Sequence, residues 1–272
     1  MIIISFFILH WVTSVVCQTF FLHRFAAHQM FTMSKGWERF FHFMTYLTQG
    51  SSYLNPRAYA ILHRMHHAYS DTVKDPHSPH VYTNLWTMMW KTKILYDGIV
   101  RRKIETPKRF DHSTPEWPGL DRFALHPLSA VSWIVAYTTF YYLFATEAWI
   151  WVLLPAHFLM GPIHGAIVNW AGHKYGYQNF DVGDKSRNTL VFDFLTMGEL
   201  FQNNHHKYGS RPNFAVRWFE IDPTWQLIRI ASALKIIKLA PSEVPMAEVD
   251  LLENTAPPAF GIPMTSAEAK DL

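Results

Sequence analysis

The sequence is poor in cysteine and in charge. Its 272 residues include one cysteine, Cys17, which excludes an intrachain disulfide and any metal cluster held by thiolates. Charged residues make up 17% of the chain, whereas roughly 25% is usual for a soluble domain. The formal net charge of +3 is too small to indicate nucleic acid as a partner. The length suits one substantial domain rather than two.

Lysine and arginine are absent from two long stretches, residues 1–23 and 123–173. The second stretch carries one formal charge, Glu147, near its middle. The first lacks the basic start and the small-residue cleavage site of a signal peptide, so we interpret it as an uncleaved helix. Since a membrane-spanning helix needs about 20 apolar residues, the two stretches predict three membrane helices. Their expected ranges are about 2–22, 125–145 and 148–170.

All 24 lysines and arginines lie in two blocks, residues 24–122 and 174–270. Because positively charged segments tend to stay on the cytoplasmic side of a membrane, we expect residues 23–122 and 171–240 to be cytosolic. The N-terminus and the turn near Glu147 would then lie on the opposite side. This pattern predicts an all-α, multi-pass integral membrane protein.

Four further segments carry weaker signals. Residues 37–62 hold a short apolar core broken by a glycine and a proline, which favours a re-entrant or interfacial element. Residues 84–96 mix tryptophan and methionine with lysine, which is typical of an interfacial helix. Residues 223–239 form a basic amphipathic pattern that predicts a helix on the inner leaflet. The tail, residues 241–272, is proline-rich and acidic, and we expect no helix there.

Sixteen histidines are a large excess, and eight of them occur in four spaced clusters. The clusters are HRFAAH (His23, His28), HRMHH (His63, His66, His67), NWAGH (Asn169, His173) and QNNHH (Gln202, His205, His206). Positions i, i+3 and i+4 share one face of a helix, so HRMHH directs three imidazoles into one small volume. QNNHH repeats that geometry with glutamine in the leading place. His23 and His28 would lie about 140° apart on a regular helix, so they require a helix end or partners on both sides.

Eight imidazoles at the basic ends of membrane segments are too many for one metal ion and suit two ions with open positions. Imidazole favours zinc, copper, iron and nickel. The H-E-x-x-H motif of zinc hydrolases is absent, so two irons that bind O2 are the better interpretation. Five other histidines are interpreted as packed or capping residues: His10, His42, His112, His126 and His157.

These motifs resemble the histidine boxes of the membrane fatty acid desaturase family, of the acyl-CoA (stearoyl-CoA) desaturase type. That family carries H-x4-H, H-x2-HH, N-x3-H and a second H-x2-HH, and the resemblance runs over about residues 10–220. The flanking sequences SDTVKDPHSP and NNHHKYGSRPNF resemble bacterial members. The resemblance implies one desaturase domain over residues 1–272, with a helical membrane stem and a cytosolic helical cap that holds a di-iron site. It also implies a bent apolar tunnel for an acyl chain beneath the irons.

The same resemblance implies which residues ligate the two irons. The matching histidines are His23, His28, His63, His66, His67, His173, His205 and His206. Asn169 resembles the residue that approaches one iron through water. Gln202 replaces a ninth histidine and is a possible metal or water ligand, with His164 as a candidate substitute. Three carboxylates are expected either to orient ligating histidines or to be solvated or capping residues: Asp71, Asp75 and Glu199.

The function implied is an O2-dependent acyl desaturase, an oxidoreductase that inserts a cis double bond, of delta-9 type, into a long-chain acyl-CoA or acyl-lipid. A related di-iron lipid hydroxylase or oxidase is the alternative, and a metal transporter, with ligands along a path through its spans, is a third reading. No haem or iron–sulfur motif is present, so a ferredoxin, rubredoxin or cytochrome b5-like donor with its reductase must supply two electrons. The basic residues around 101–109 are a candidate docking place for it. One apolar helix precedes the first box, where the family usually has two.

Overall fold

The computed structural model describes residues 1–241, which are mostly helical, as predicted. The α-helices are α1 (Ile2–Cys17), α2 (Lys35–Gln49), α3 (Pro56–Tyr69), α4 (Leu85–Val100), α5 (Pro118–Ala124), α6 (Pro127–Phe144), α7 (Leu154–Phe158), α8 (Met160–Ala171), α9 (Gln202–Lys207) and α10 (Pro223–Ala233). A π-helix covers Gln18–Ala27, and 3-10 turns cover Gly50–Ser52 and Ala148–Leu153. The predicted tail beyond Pro241 lies outside the described residues.

The π-helix continues α1 without interruption, so one long helix runs from Ile2 to Ala27. In a π-helix each N–H bonds to the carbonyl five residues back, and the His28 N–H reaches the His23 carbonyl at 3.1 Å. Side chains five positions apart are thereby brought toward one face. This resolves the spacing problem of the first histidine cluster, for which a regular α-helix was unsuitable.

Membrane crossing is supported for fewer segments than the sequence predicted. The helix Ile2–Ala27 is the one described helix that is long and apolar enough to cross a membrane alone. Helix α6 agrees with the predicted range 125–145 but does not reach that apolarity, because serine, threonine and tyrosine recur along it. The predicted range 148–170 is a broken element in which Ala148–Phe158 and Met160–Ala171 are bent by 79°. The described residues therefore hold one candidate span, or two if the bent pair is a single span.

A proline explains the break before α8. Pro162 has no N–H to offer the carbonyl of Phe158, four residues earlier. That carbonyl accepts a hydrogen bond from Ser51 Oγ (3.0 Å) instead, and the Gly161 N–H donates to Ser52 Oγ (3.1 Å). The turn after α2 therefore satisfies the polar groups that the bend exposes.

The predicted amphipathic helix over residues 223–239 is wrong in its second half. Helix α10 ends at Ala233, and Lys235 adopts a positive φ of 57°. Strand β2 (Ile237–Leu239) follows and pairs antiparallel with β1 (Phe31–Met33). This short sheet brings the end of the described chain to the segment that follows the π-helix.

Helix α3 is held against the π-helix by one arginine. Arg64 donates hydrogen bonds to the carbonyls of Ala26 and Ala27, at the end of the π-helix, at 3.0 and 2.8 Å. It also donates to the carbonyls of Phe110 and His112, at 2.9 and 2.7 Å. The last turn of a helix leaves carbonyls without partners, and Arg64 supplies the donors.

Two buried histidines outside the four clusters, His10 and His157, have hydrogen-bonding roles. His10 Nδ1 lies 2.6 Å from His157 Nδ1, and the two rings join α1 to α7. The outer nitrogens contact the Thr48 carbonyl (2.7 Å) and the Tyr141 hydroxyl (2.9 Å). One set of neutral tautomers satisfies this whole row of hydrogen bonds, with the Tyr141 hydroxyl donating at one end and the Thr48 carbonyl accepting at the other.

Candidate metal centre

The eight predicted ligand histidines converge from four parts of the chain. The end of the π-helix contributes His23 and His28, and helix α3 contributes three. Helix α9 contributes two, and the turn after α8 contributes His173. Their ligand atoms fall into two groups, each within 4.8 Å: His23, His28, His63, His67 and His205 form the first, and His66, His173 and His206 form the second.

In the first group, five Nε2 atoms point at one another. His63 Nε2 lies 2.9 Å from that of His23, 2.7 Å from that of His28 and 2.9 Å from that of His67. One imidazole nitrogen has either one proton or one lone pair, so it cannot make three hydrogen bonds. Metal–imidazole bonds of about 2.1 Å at right angles would place neighbouring nitrogens about 3 Å apart. The donor set therefore fits a shared metal ion.

In the second group, the three rings are each held by an aspartate. His66 Nε2 and His173 Nε2 lie 3.2 Å apart. His206 Nε2 is buried and has no hydrogen-bond partner within residues 1–241. A buried polar atom without a partner is costly, and a metal ion bound by all three Nε2 atoms would satisfy it.

Four carboxylates fix the orientation of the ring nitrogens that face away from these centres. Asp75 accepts from His66 Nδ1 at 2.9 Å, and Asp71 accepts from His173 Nδ1 at 3.0 Å. Glu199 contacts His23 Nδ1. The structure thus places all three predicted carboxylates against ligand histidines. An Nδ1–H···carboxylate bond leaves the Nε2 lone pair free and raises its basicity.

Sequence interpretation missed Asp184 and His77. Asp184 lies 2.6 Å from His206 Nδ1 and completes the aspartate set of the second group. It precedes His206 by 22 positions in an irregular loop, where no spacing rule indicates it. His77 is buried and lies close to His66 and Asp75, with both ring nitrogens unpartnered within the described chain. The Asp-Pro-His sequence that follows the second cluster was its only signal.

Burial favours the neutral form of five of these histidines. It is the main cause that lowers the pKa of His28, His63, His67 and His205 well below 6.5, and neighbouring histidines lower it further. Burial also lowers the pKa of His206 to about 4, although the bond to Asp184 opposes this. Neutral imidazole is the form that binds metal.

The aspartates of the second group are held in their charged form. Burial by itself would raise the pKa of Asp75, but the hydrogen bond and charge of His66 lower it to about 2. In the same way, His173 outweighs burial and lowers the pKa of Asp71, and His206 lowers that of Asp184. The second group therefore places three charged carboxylates against the outer nitrogens of its imidazoles.

Glu199 is anchored by a buried cation. It contacts Thr19 and lies 3.8 Å from Arg24 Nη2. Arg24 is fully buried and binds Asp222 at 3.0 Å, while its guanidinium lies over the Phe214 ring. Because a buried charge requires partners, this network holds the first histidine cluster against the C-terminal part of the described chain.

The three predicted auxiliary positions lie beside the centres without entering either group. Gln202 is buried, and its Nε2 donates to the Glu199 carbonyl at 2.6 Å. Asn169 and His164 line a neighbouring cavity. The His164 ring packs edge-on against Trp11, at 4.4 Å between centroids, and belongs to neither set of converging ligand atoms.

The cavity beside the histidines has a volume of about 520 Å³. Its wall includes His23 and His63 of the first group, and it extends past α8 to the turn after α2, at Ser51. Much of the remainder is apolar or aromatic and comes from α1, α3, α4, α7, α8 and the segment before α3: Val15, Leu54, Tyr59, Leu62, Met89, Trp90, Phe158 and Val168. An elongated apolar ligand would therefore lie directly against the metal-binding groups.

The sequence of the chain is similar to those of several known proteins. The sequence pattern of the family described as "Fatty acid desaturase" matches residues 1–233. The Delta-9 desaturase-like 2 protein of Arabidopsis thaliana is 31% identical over 223 residues, covering 80% of this chain and 70% of that protein. The sn-1 stearoyl-lipid 9-desaturase of Anabaena variabilis is 27% identical over 242 residues, covering 86% and 82%. The Acyl-CoA 5-desaturase AL21 of Anemone leveillei is 29% identical over 248 residues, covering 87% and 71%.

Three findings indicate the same family: the histidine motifs, the two converging sets of imidazoles and the similarity to these proteins. The resemblance inferred from the residues is confirmed, and so is the expectation of an oxidoreductase that acts in lipid metabolism. The assignment of individual ligands stays a prediction. The chain belongs to the fatty acid desaturase family.

Proposed function

We propose that this chain is a di-iron, O2-dependent desaturase that inserts a cis double bond, of delta-9 type, into a long acyl chain carried on CoA or lipid. The observation that carries the proposal is the pair of imidazole groups beside a largely apolar cavity of about 520 Å³. Relatives named as stearoyl-lipid 9-desaturases and as an acyl-CoA 5-desaturase support an acyl substrate. Their names differ in carrier and in bond position.

The charge of the surroundings suits two divalent ions. Eight imidazoles provide the donors, and Asp71, Asp75, Asp184 and Glu199 provide four negative charges. Four negative charges balance the four positive charges of two Fe2+ ions, which lowers the free-energy cost of burying the ions. Within residues 1–241, His23 is the one ring of the first group that contacts a carboxylate, whereas all three rings of the second group do, so the second group is the more electron-rich.

The bound irons, with O2 and two electrons, would supply the oxidising power to remove two hydrogen atoms from adjacent methylenes. The products are a carbon–carbon double bond and two waters, and two protons are consumed. No side chain can ionise such a C–H bond near neutral pH, so the protein contributes binding and position. The cavity wall holds the chain, excludes bulk water and presents one pair of carbons to His23 and His63.

We also propose a single desaturase domain embedded in the membrane as a multi-pass bundle, with its metal centre on the cytoplasmic side. The apolar helix Ile2–Ala27 and the bent pair α7–α8 support membrane insertion. Exposed basic residues in the loop after α4, among them Arg101, Arg102 and Lys108, would receive an acidic electron donor. Such a donor would be a ferredoxin, a rubredoxin or a cytochrome b5-like protein with its reductase.

The test is expression of the chain in a host that lacks unsaturated fatty acids, followed by gas chromatography of its lipids and an iron count on the purified protein. We expect cis-unsaturated chains and two irons per chain. His66→Ala should abolish both, whereas His112→Ala, an exposed histidine outside the centres, should change neither. Hydroxylated chains would identify the alternative lipid hydroxylase, and iron-loaded protein with unaltered lipids would refute both.

A further inference from the structure

Helix α8 forms part of the cavity wall and carries two glycines, Gly161 in its first turn and Gly165 in its middle. Glycine in the middle of a helix is unfavourable relative to alanine, because it loses more backbone freedom on folding. The presence of glycine at each position therefore calls for a structural explanation. The residues that surround Gly161 and Gly165 give different explanations.

Close packing accounts for Gly161. A Cβ atom there would lie 3.1 Å from the Ser52 carbonyl oxygen and 3.2 Å from the Leu54 side chain. The backbone of α8 approaches the turn after α2 at this point, and the Gly161 N–H bonds to Ser52 Oγ. A side chain would push the two elements apart.

Neither packing nor backbone conformation accounts for Gly165. Its φ angle is not among the positive ones, so any residue could adopt it. A Cβ atom there would meet no heavy atom of the described chain within 4 Å, apart from the helix's own neighbouring backbone. Close approach of a second helix, the usual reason for glycines four residues apart in membrane proteins, is therefore not found at Gly165 within residues 1–241. The space that a side chain at Gly165 would fill is part of the cavity.

We propose that Gly165 determines which acyl chains the cavity accepts, an inference that deepens the proposed function and rests on it. Gly165 lies one helical turn, about 6 Å, from Asn169. Along α8, Gly165 lies beyond Asn169 in the direction away from the histidine groups and toward Gly161 and Ser52. The part of a bound chain that extends beyond the metal centre must pass this point. A larger residue would narrow the cavity there and exclude long chains, while shorter chains that end before Gly165 would still bind.

The experiment uses the full-length, iron-loaded protein in detergent, with Gly165→Ala, Gly165→Val and Gly165→Leu. Affinities for myristic, palmitic and stearic acid would be measured together with the iron content. For Gly165→Leu we expect stearate binding to weaken at least about tenfold and myristate binding to change less than about twofold. Iron content should not change. Gly165→Ala should raise the melting temperature, since it meets open space in a helix.

The matched control is Ala166→Leu, the next position on α8, which does not line the cavity. It should leave the chain-length profile as in the wild type. If Gly165→Leu keeps the wild-type profile, or weakens all three acids equally, the proposal for Gly165 is overturned; if Gly165→Leu does not fold, Gly165→Val decides by the same criteria. Wild-type protein that binds stearate in this way but converts no acyl chain would refute the desaturase function and leave the role of Gly165 standing.

Discussion

The carboxylate on the far side of a ligand imidazole decides which nitrogen is available to a metal. In this protein four of the eight converging rings have that partner, and three of the four are in the second group. The second group has fewer rings but more carboxylates. Gln202 stands where the family resemblance predicts another histidine, and its amide nitrogen donates to the Glu199 carbonyl. The aspartates therefore provide the charge that compensates for a smaller donor set.

His164 was the predicted substitute for the missing histidine, and the structure leads to the opposite expectation. We expect His164→Ala to leave iron content unchanged, because its ring packs on Trp11 outside both sets of converging nitrogens. Metal analysis of the purified protein checks this, with His206→Ala as the variant expected to lose iron. Equal losses in both variants would make His164 a ligand after all.

At the scale of elements, the π-helix and α3 form one unit through Arg64. Its four carbonyl partners lie at the end of the π-helix and in the loop before α5. The planar guanidinium reaches all four, whereas the point charge of a lysine cannot. The position of His28 depends on this unit, since it directly follows the π-helix.

We expect Arg64→Met and Arg64→Lys to destabilise the protein by about 3 kcal/mol, because four carbonyls, three of them in partly buried hydrogen bonds, lose charged donors. Both should also lower iron content. Thermal unfolding in detergent and metal analysis would measure the two effects. Arg102→Met removes an exposed arginine and should change neither; a lysine variant as stable as the wild type would show that charge alone is required.

At the scale of the whole molecule, the buried histidines predict how stability depends on pH. In the metal-free folded protein the pKa of His28, His63, His67 and His205 is well below 6.5 and that of His206 is about 4. The unfolded chain takes up protons near its ordinary histidine pKa of 6.5, so it binds more protons than the folded chain below that pH. The free energy of unfolding should therefore be nearly constant above pH 6.5 and fall as pH decreases from 6.5 toward 4. Denaturation of the metal-free protein across this range tests the sign, and a flat profile would contradict it.

The convergence of the eight histidines could be predicted from the sequence because their spacing has a geometric meaning. HRMHH and QNNHH follow the helical period, and the structure places both on helices. The i, i+5 pair was the exception, since the period of a π-helix is too rare to be assumed. Asp184 was not predictable, and the cavity was expected only from the family resemblance, because both depend on loops and helices that meet only in the folded chain. Pro162 is a sequence signal for the break before α8, but it lies inside an uncharged run that favours one continuous span.

The π-helix has a consequence for the other end of α1. Each residue of an α-helix turns the chain by about 100°, so removal of one residue between His23 and His28 would change the rotational phase of everything before it. His10 would turn away from His157, and the exposed residues Ile8 and Leu9 would rotate toward the bundle. The number of residues in the first histidine motif is thus constrained twice, by the geometry of the metal ligands and by the alignment of α1 some ten residues away.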